Sequence, residues 1–255
     1  MKRMPHFSFA AIVGMAILPF VVSCAAAQET CKLTASGMAT VTSARDGRTL
    51  LLADGRELLL AGIEVTDDSR TALELLVGGR DVRLEQSGSK RDRYGRVVAF
   101  LYTEDTGQSV QQAMVERGQA RVSARIGEKR CADLLLRAER AARAARRGLW
   151  ADPNFAPLRS ENTSQIAAAR GQFALVEGKV LSVRESGATI YLNFGRRWTR
   201  DFTVTVLKRH QREFATAGVD PKRLEGQPIR VRGWVEQHDG PIIDAAAPEQ
   251  IEVVE

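Results

Sequence analysis

Histidine is scarce in this 255-residue chain, which contains only three. They are His6, near the N-terminus, and the scattered His210 and His238. No cluster of zinc-type ligands and no histidine-based catalytic triad is therefore available. Serine or cysteine nucleophile arrangements and glycine-rich phosphate loops are absent as well, so the sequence excludes those classes of hydrolase and nucleotide-binding protein.

An apolar run long enough to cross a bilayer is also missing. The longest one, residues 7–22, follows Lys2 and Arg3 and is interrupted by a glycine and a proline. It is shorter than the roughly 20 residues that a membrane-spanning helix needs. A basic start followed by a short apolar stretch is typical of a secretory signal, here residues 1–27. The mature chain is therefore expected outside the cytosol, in the bacterial periplasm or anchored to a membrane.

The predicted signal has two alternative ends. Residues 25–27 are alanines and fit ordinary cleavage, whereas residues 21–24 resemble a lipoprotein box in which Cys24 is lipidated. The second interpretation is preferred. It predicts association with the envelope through Cys24, without an integral membrane span.

Cysteine is as rare as histidine, with three residues. Once Cys24 is lipidated or removed, Cys31 and Cys131 remain, and an exported chain can keep a disulfide between them. Closing a loop of roughly 100 residues would stabilise the fold by about 4–5 kcal/mol on the loop-entropy model. The alternative is a pair of unbonded buried thiols.

The formal net charge is +6, and a leader with two basic residues and no acid would remove two of these charges. A mildly basic surface favours polyanions as partners, whether nucleic acid, anionic lipid or lipopolysaccharide. The charge alone does not choose between them.

The sequence predicts a mainly β protein with helices, of the α+β class. Asp46-Gly47 and Asp54-Gly55 separate three short apolar runs, and Asp-Gly between such runs is a strong hairpin signal. With two further strands and three helices, the segment 28–151 is predicted to form a five-stranded closed barrel of the OB type. The predicted strands are 39–44, 49–53, 57–63, 81–86 and 96–102, and the predicted helices are 69–76, 109–117 and 128–147.

The rest of the chain is predicted to hold a second unit. Residues 152–171 are rich in proline, serine and asparagine without sustained periodicity, which is typical of a linker. Alternating runs return from residue 172 to 255 and predict a second, smaller OB-like barrel or a sandwich.

The first unit resembles the staphylococcal-nuclease-like, or thermonuclease, family. The resemblance depends on five segments in order and with fitting spacing, and not on any one of them. They are the hairpin at 46–49, Gly62-Ile63-Glu64, the stretch 92–99 that begins Asp-Arg-Tyr-Gly-Arg, residues 110–122, and the closing helix with Gly148-Leu149-Trp150.

The resemblance implies calcium-dependent hydrolysis of phosphodiesters in DNA or RNA. In that family carboxylates hold a calcium ion, a glutamate assists the attacking water, and two arginines neutralise the phosphate. Such roles suit hard oxygen ligands and fixed charges around a developing anion. Arg96 matches the second arginine, and Arg93 and Tyr94 match residues that contact the bound nucleotide.

Other positions depart from the family pattern. Leu59 stands where the first arginine is expected, and Arg56 is three residues upstream and on the opposite face of the strand. Arg48 replaces a metal-ligating aspartate. Glu64 stands at the other ligand position, Asp67 at that of the general base, and Thr66 replaces a proline between them; the strand after Gly118 lacks aromatic residues.

A guanidinium beside carboxylates is expected to bind them. We therefore predict an internal ion pair between Arg48 and either Glu64 or Asp67, which substitutes for the metal. The alternative is that Arg48 points into solvent. No metal or other cofactor is predicted, and Ca²⁺ enters only if the domain is an active nuclease through Arg96, Asp67 and Glu64.

Two more segments are candidates for binding. Arg196, Arg197 and Trp198 surround a glycine turn and could hold a nucleic acid strand, although the tryptophan could equally be a core residue. Five arginines on the helix 128–147 could track phosphates, but a solvated helix face is the preferred interpretation.

The function that the sequence favours is binding of nucleic acid or another polyanion by an exported thermonuclease-like protein, with weak or no hydrolysis. The alternatives are an active calcium-dependent nuclease and a structural envelope protein that contacts another protein.

Overall fold

The structure is a computed structural model that describes residues 31–66, 68–88, 91–104 and 107–254. The predicted leader with Cys24 and the candidate general base Asp67 lie outside the described residues. The strands are β1 (Thr34–Ala44), β2 (Thr49–Leu52), β3 (Glu57–Leu60), β4 (Ile63–Val65), β5 (Asp81–Gln86), β6 (Val97–Thr103), β7 (Ala120–Val122), β8 (Leu158–Arg159), β9 (Phe173–Lys179), β10 (Ser182–Ser186), β11 (Thr189–Asn193), β12 (Thr203–Leu207), β13 (Pro228–Trp234), β14 (Glu236–Gln237), β15 (Pro241–Asp244) and β16 (Ile251–Val253). The α-helices are α1 (Ser69–Val77), α2 (Val110–Glu116), α3 (Lys129–Ala144), α4 (Thr163–Ala168) and α5 (Gln211–Thr216).

Five strands close into a barrel in the order β1-β2-β3-β6-β5, with β1 also paired to β5. Alternate leucines fill its interior, since Leu50, Leu52, Leu58 and Leu60 are each at most 2% exposed. Two register shifts along the long strand β1 bend it, which allows a single strand to close the ring. The predicted five-stranded barrel with helices α1 to α3 is confirmed.

The pairing of two very short strands, β4 and β7, was not predicted from the sequence. They form a separate antiparallel sheet in which Glu64 stands opposite Arg121. Gly62, with φ +76°, turns the chain out of β3, so the single apolar run predicted over 57–63 is two strands. Three residues are too few for a periodic pattern, and for this reason the pairing is not visible in the sequence.

The disulfide between Cys31 and Cys131 is confirmed. It joins the segment before β1 to the first turn of α3, where the Glu128 carboxylate caps the helix by accepting from the Cys131 N–H at 2.9 Å. The bond therefore ties the N-terminal end of the barrel sheet to a helix about 100 residues later.

Removing this bond is expected to lower the free energy of unfolding by about 2–5 kcal/mol, because the unfolded chain gains the entropy of a long open loop. The free energy of unfolding of the Cys31→Ser/Cys131→Ser variant is measured by urea denaturation and compared with that of the oxidised wild type. The wild type treated with a thiol reductant is the matched control and should lose the same amount. A loss below about 0.5 kcal/mol in both would contradict this role.

The C-terminal strands form two sheets, in the orders β10-β11-β12-β15-β14 and β16-β13-β9-β8. This confirms a further β domain. Of the two predicted arrangements, an OB-like barrel or a sandwich, its described strands form two facing sheets, as in a sandwich. The two sheets approach closely at Gly233, where an added Cβ would lie 2.6 Å from Ile243 Cγ2. Strand β15 pairs in parallel with β12, whereas β13 pairs in the antiparallel sense with β9 and β16. Strands β13 and β15 therefore belong to different sheets and approach each other without backbone pairing.

The segment predicted as a linker, residues 152–171, contains regular elements. Strand β8 adds in parallel to β9, and helix α4 is capped by the Asn162 side chain, which accepts from the Gln165 N–H. Ile166 on α4 is fully buried in the C-terminal core. The polar composition of the segment therefore marks turns and caps.

A buried ion network joins the barrel to the C-terminal sheets. Arg232 on β13 is 1% exposed; its Nη2 lies 2.7 Å from Glu139 Oε2 on α3 and 2.5 Å from Glu252 Oε1 on β16. Its Nη1 donates to the Val122 carbonyl at 3.1 Å, while the Val122 N–H donates to Glu139 at 2.7 Å. Both backbone polar groups of Val122, beside the Glu64 strand, are thus held by this pair.

Each described helix is too short or too polar to traverse a lipid bilayer.

Candidate functional site

Arg48 and Glu64 form the centre of the site. The Arg48 Nη1 lies 2.7 Å from Glu64 Oε2 and also donates to the Ile63 carbonyl at 3.4 Å. The side chains are 34% and 16% exposed, so this is a partly buried, charge-assisted bond. The predicted ion pair of Arg48 with Glu64 is confirmed, and Arg48 does not point into solvent.

A second arginine contributes to the field at Glu64. Burial raises the pKa of the Glu64 carboxyl, and the positive charges of Arg48 and of Arg121 across the β4–β7 pair act against this rise. Arg121 is held by its own contacts, since it donates to the Phe173 carbonyl at 3.1 Å and lies 5.1 Å from the Phe173 ring. The Glu64 carboxylate is thus bonded to one guanidinium and lies in the electrostatic field of a second.

Asp46 is occupied by the turn that presents Arg48. Its Oδ1 accepts from the backbone N–H groups of Arg48 at 2.8 Å and Thr49 at 2.7 Å. Gly47 is required in this turn, because an added Cβ would lie 2.6 Å from Ser69 Cβ. Asp-Gly here therefore builds a tight turn against the start of α1.

These donors do not fit a calcium site. Ca²⁺ takes six to eight oxygen ligands, but the carboxylate at Glu64 is bonded to a cation and Asp46 to two N–H groups. Among the described residues, neither belongs to a cluster of three or more metal-ligating side chains.

Leu59 lies beside this ion pair, on the outer face of the barrel. Its backbone is registered opposite Thr49 on β2 and Val98 on β6, and its side chain is half-buried beside Arg48 in an open groove. Leucine cannot donate to a phosphate, so this position contributes apolar surface only. Arg56, the nearest upstream arginine, is bound to Asp54, with Nε 2.6 Å from Oδ2.

The Asp-Arg-Tyr-Gly-Arg stretch is a turn organised by its aspartate. Asp92 Oδ1 accepts from the N–H groups of Tyr94 and Arg96, each at 2.9 Å, and its Oδ2 accepts from Arg96 Nε at 2.7 Å. Gly95 has φ +81°, a left-handed conformation that favours glycine. Partial desolvation raises the pKa of Asp92, but the Arg96 hydrogen bonds outweigh it and the pKa is lowered.

This turn presents two cations and a ring to solvent. Tyr94 is 68% exposed, with the Arg93 guanidinium 4.8 Å and the Arg96 guanidinium 5.4 Å from its ring centroid. Arg96 also reaches the Thr49 hydroxyl at 3.3 Å, and Thr49 is registered opposite Leu59. Arg93, Tyr94 and Arg96 are therefore one preorganised surface, which we call the turn patch.

A groove of about 700 Å³ runs from the ion pair to the C-terminal sheets. Its wall includes Leu59, Val98 and the half-exposed Trp234, and carboxylates outnumber arginines along it. Negative potential here disfavours a phosphodiester lying across Glu64. The carboxylates are those of Glu64, Glu85, Glu213, Glu236, Asp244 and Glu249, and the arginines are Arg48 and Arg125.

Arginines of helix α3 and of the turn after it are held by contacts and do not form a free basic ridge. Arg140 lies 3.1 Å from Glu252, and Arg143 lies 3.4 Å from Glu139 and over the Trp150 ring at 5.5 Å. Arg147 donates to the Glu116 carbonyl at 3.3 Å. The solvated-face interpretation is therefore wrong for Arg143, whose side chain is 15% exposed. Arg140 is 48% exposed and pairs with Glu252 at the edge of the interface.

Arg196, Arg197 and Trp198 lie in the exposed loop between β11 and β12. Trp198 is 65% exposed, so it is not a core residue. The Asp201 carboxylate accepts from the Arg197 N–H at 2.8 Å and closes the loop. This loop and the turn patch are separate surfaces, because the turn patch does not border the hollows that Trp198 lines.

Arg121 is a residue of the candidate site that sequence reasoning missed. It lies in a strand recognised only for its lack of aromatic residues, and its partner Glu64 is 57 positions away. Recognising the three-residue pairing of β4 with β7 would have placed the two side by side.

A scan against protein-family descriptions matches residues 63–152 to the staphylococcal nuclease homologue family. A search of curated proteins finds no match for the chain. The matched range contains Glu64, the turn patch and helix α3, together with β5 and β6 of the closed barrel. Residues 63–152 of this chain therefore belong to the staphylococcal nuclease homologue family.

Proposed function

We propose that the protein binds nucleic acid, or a polyanion of similar charge, and hydrolyses phosphodiesters weakly or not at all. The observation that carries this proposal is the Arg48–Glu64 bond of 2.7 Å at the position of the family's metal. Without a hard cation and a second arginine, charge on the reacting phosphate lacks the fixed partners on which such catalysis depends. We further propose that the mature chain is exported and that Cys24 anchors it to the envelope.

The turn patch supports the binding half of the proposal. Asp92 holds Arg96 by its Nε, and the stacking on Tyr94 orders both guanidiniums before any ligand arrives. Preorganised arginines lose less side-chain entropy on binding phosphate. The exposed ring can also stack on an unpaired base.

The test of this function is a binding titration with a digestion readout. Fluorescein-labelled single-stranded DNA is titrated with the mature protein at several salt concentrations, and anisotropy is followed together with product formation on a gel. Affinity should fall as salt rises, without product, because released counterions drive phosphate binding.

Arg93→Ala should weaken this binding for every DNA sequence and reduce the salt slope by about 1. Arg223→Ala is the matched control, since that side chain is 88% exposed in the C-terminal unit and its effect should be small. Equal effects of the two variants would argue against the turn patch. Calcium-dependent product from the wild type at a rate typical of the family would instead favour an active nuclease.

A further inference from the structure

Trp198 separates two open hollows on the five-stranded C-terminal sheet. Trp198, Tyr191 and Asn193 line both hollows, which measure about 590 and 710 Å³. Each volume is in the range of about 300–1,000 Å³ that is usual for sites of small organic ligands. An exposed indole between two such spaces offers stacking surface on either side.

The floor of these hollows is the outward face of the sheet. In strand register, Arg184, Tyr191, Thr205 and Asp244 form one row across β10, β11, β12 and β15. Hydroxyl and amide groups on this face can both donate and accept hydrogen bonds, as the edges of bases do. The opposite face is apolar and fully buried, with Ile190, Leu192, Val204 and Val206 at 0% exposure.

The floor also has a second polar row, in which Ser182, Asn193 and Thr203 are neighbours. The Asn193 side chain donates to the Ser182 hydroxyl at 3.4 Å and accepts from the Thr203 hydroxyl at 3.5 Å. These bonds are long, so a ligand with better geometry can replace them. A polar floor of this kind does not favour lipid chains or an apolar helix.

The rim of the hollows is cationic and contains exposed apolar side chains. Four arginines line the two hollows against two aspartates, and Asp244 is already bonded to the Thr205 hydroxyl. Of the large hydrophobic side chains that are exposed in the described residues, Leu181, Trp198 and Leu207 lie here. The arginines are Arg125, Arg184, Arg196 and Arg209.

We propose that this face binds single-stranded nucleic acid, with an unpaired base stacked on Trp198 and the backbone along Arg184 and Arg196. An aromatic platform with an arginine rim and a polar floor suits a flexible single strand, whose bases are exposed and can stack on the ring. A duplex does not fit in this way, because its bases are stacked on each other. Arg125 comes from the barrel, in the loop after β7, so both units contribute to the site. The inference rests on the proposed nucleic-acid-binding function and adds the strandedness and the place of the contact.

The experiment uses the full mature chain and a labelled dT12 oligonucleotide, with a 12-base-pair duplex of matched label as the second probe. Trp198→Ala should weaken dT12 binding about tenfold, which is the usual effect of removing one base-stacking ring. Trp198→Phe should retain most of the affinity. Tryptophan fluorescence should be quenched by dT12 in the wild type and much less in Trp198→Phe, whose Trp150 and Trp234 lie elsewhere.

The outcomes separate this inference from the proposed function. Unchanged dT12 affinity in Trp198→Ala, or an equal loss for the duplex, would overturn the single-strand site, while a loss in Arg93→Ala would leave the proposed function standing. Loss in Trp198→Ala with no effect of Arg93→Ala would support the sheet site and contradict the turn patch. A wild type that binds neither probe would contradict both.

Discussion

Replacing Arg232 with methionine is expected to lower the free energy of unfolding by about 3–5 kcal/mol. The guanidinium is almost completely buried and bonded to Glu139, Glu252 and the Val122 carbonyl. Methionine has a similar reach but no charge, so two carboxylates would remain at the interface without their shared partner. Leaving a buried charge unpaired costs far more than losing a pair as a whole.

The control for this variant is Arg223→Met, at a side chain that is 88% exposed. It should change stability by no more than about 0.5 kcal/mol. Adding Glu139→Gln to Arg232→Met should recover part of the loss, because the uncompensated charge is removed. A loss below about 1 kcal/mol in Arg232→Met, measured by urea denaturation, would contradict the assignment of Arg232 as the centre of this network.

The network also predicts how the stability of the fold changes with pH. Burial alone would raise the pKa of Glu252, but Arg232 and Arg230 outweigh it and the pKa is lowered. A carboxyl with a lowered pKa stabilises the fold above its ordinary value of 4.5, and this contribution is lost as pH falls through the folded value. The stability difference between wild type and Glu252→Gln should therefore shrink on acidification below about pH 4.5.

Converting the site back to the family pattern is expected to produce calcium-dependent hydrolysis. In Leu59→Arg/Arg48→Asp, the new arginine extends from the face that bears Val98 and Thr49, and the new aspartate replaces the cation beside Glu64. One fixed donor at a developing anion is typically worth about 10²–10³ in rate, so cleavage of DNA should rise by at least that factor.

The matched control is Leu51→Arg/Arg45→Asp, which makes the same exchanges on an outward position of β2 and in the turn before it. Arg45 binds Glu57, away from the Arg48–Glu64 pair, so this variant should gain no hydrolysis. Activity is measured on denatured DNA with calcium and with chelator. A folded Leu59→Arg/Arg48→Asp variant that binds calcium and still does not cleave would show that Asp67 or Glu64 also blocks the reaction.

Much of the barrel was predictable because its signals are local. Asp46-Gly47 and Asp54-Gly55 determine hairpins, and Leu50, Leu52, Leu58 and Leu60 alternate with half-exposed neighbours along two strands. The Arg48–Glu64 pair was predictable for a different reason. A cation placed among carboxylates by the family pattern has few other partners.

The interface was not predictable, because its signals are not local. In the alternating pattern of β13, Arg232 stands at a position typical of a solvent-facing residue. Its partner Glu139 lies 93 positions earlier, on a helix whose arginines suggest an exposed face. Only the contact of the two units makes both side chains buried. The open arrangement of the C-terminal sheets is hidden for the same reason, since alternation identifies strands but not the order in which they pair.

We propose that Arg48 takes the place of the family's metal at Glu64. Isothermal titration of the mature wild type with calcium, beside Arg48→Asp, tests it most directly. We expect no binding in the micromolar range for the wild type and measurable binding once the guanidinium is replaced by a carboxylate. Calcium binding by the wild type with micromolar or tighter affinity would contradict the claim.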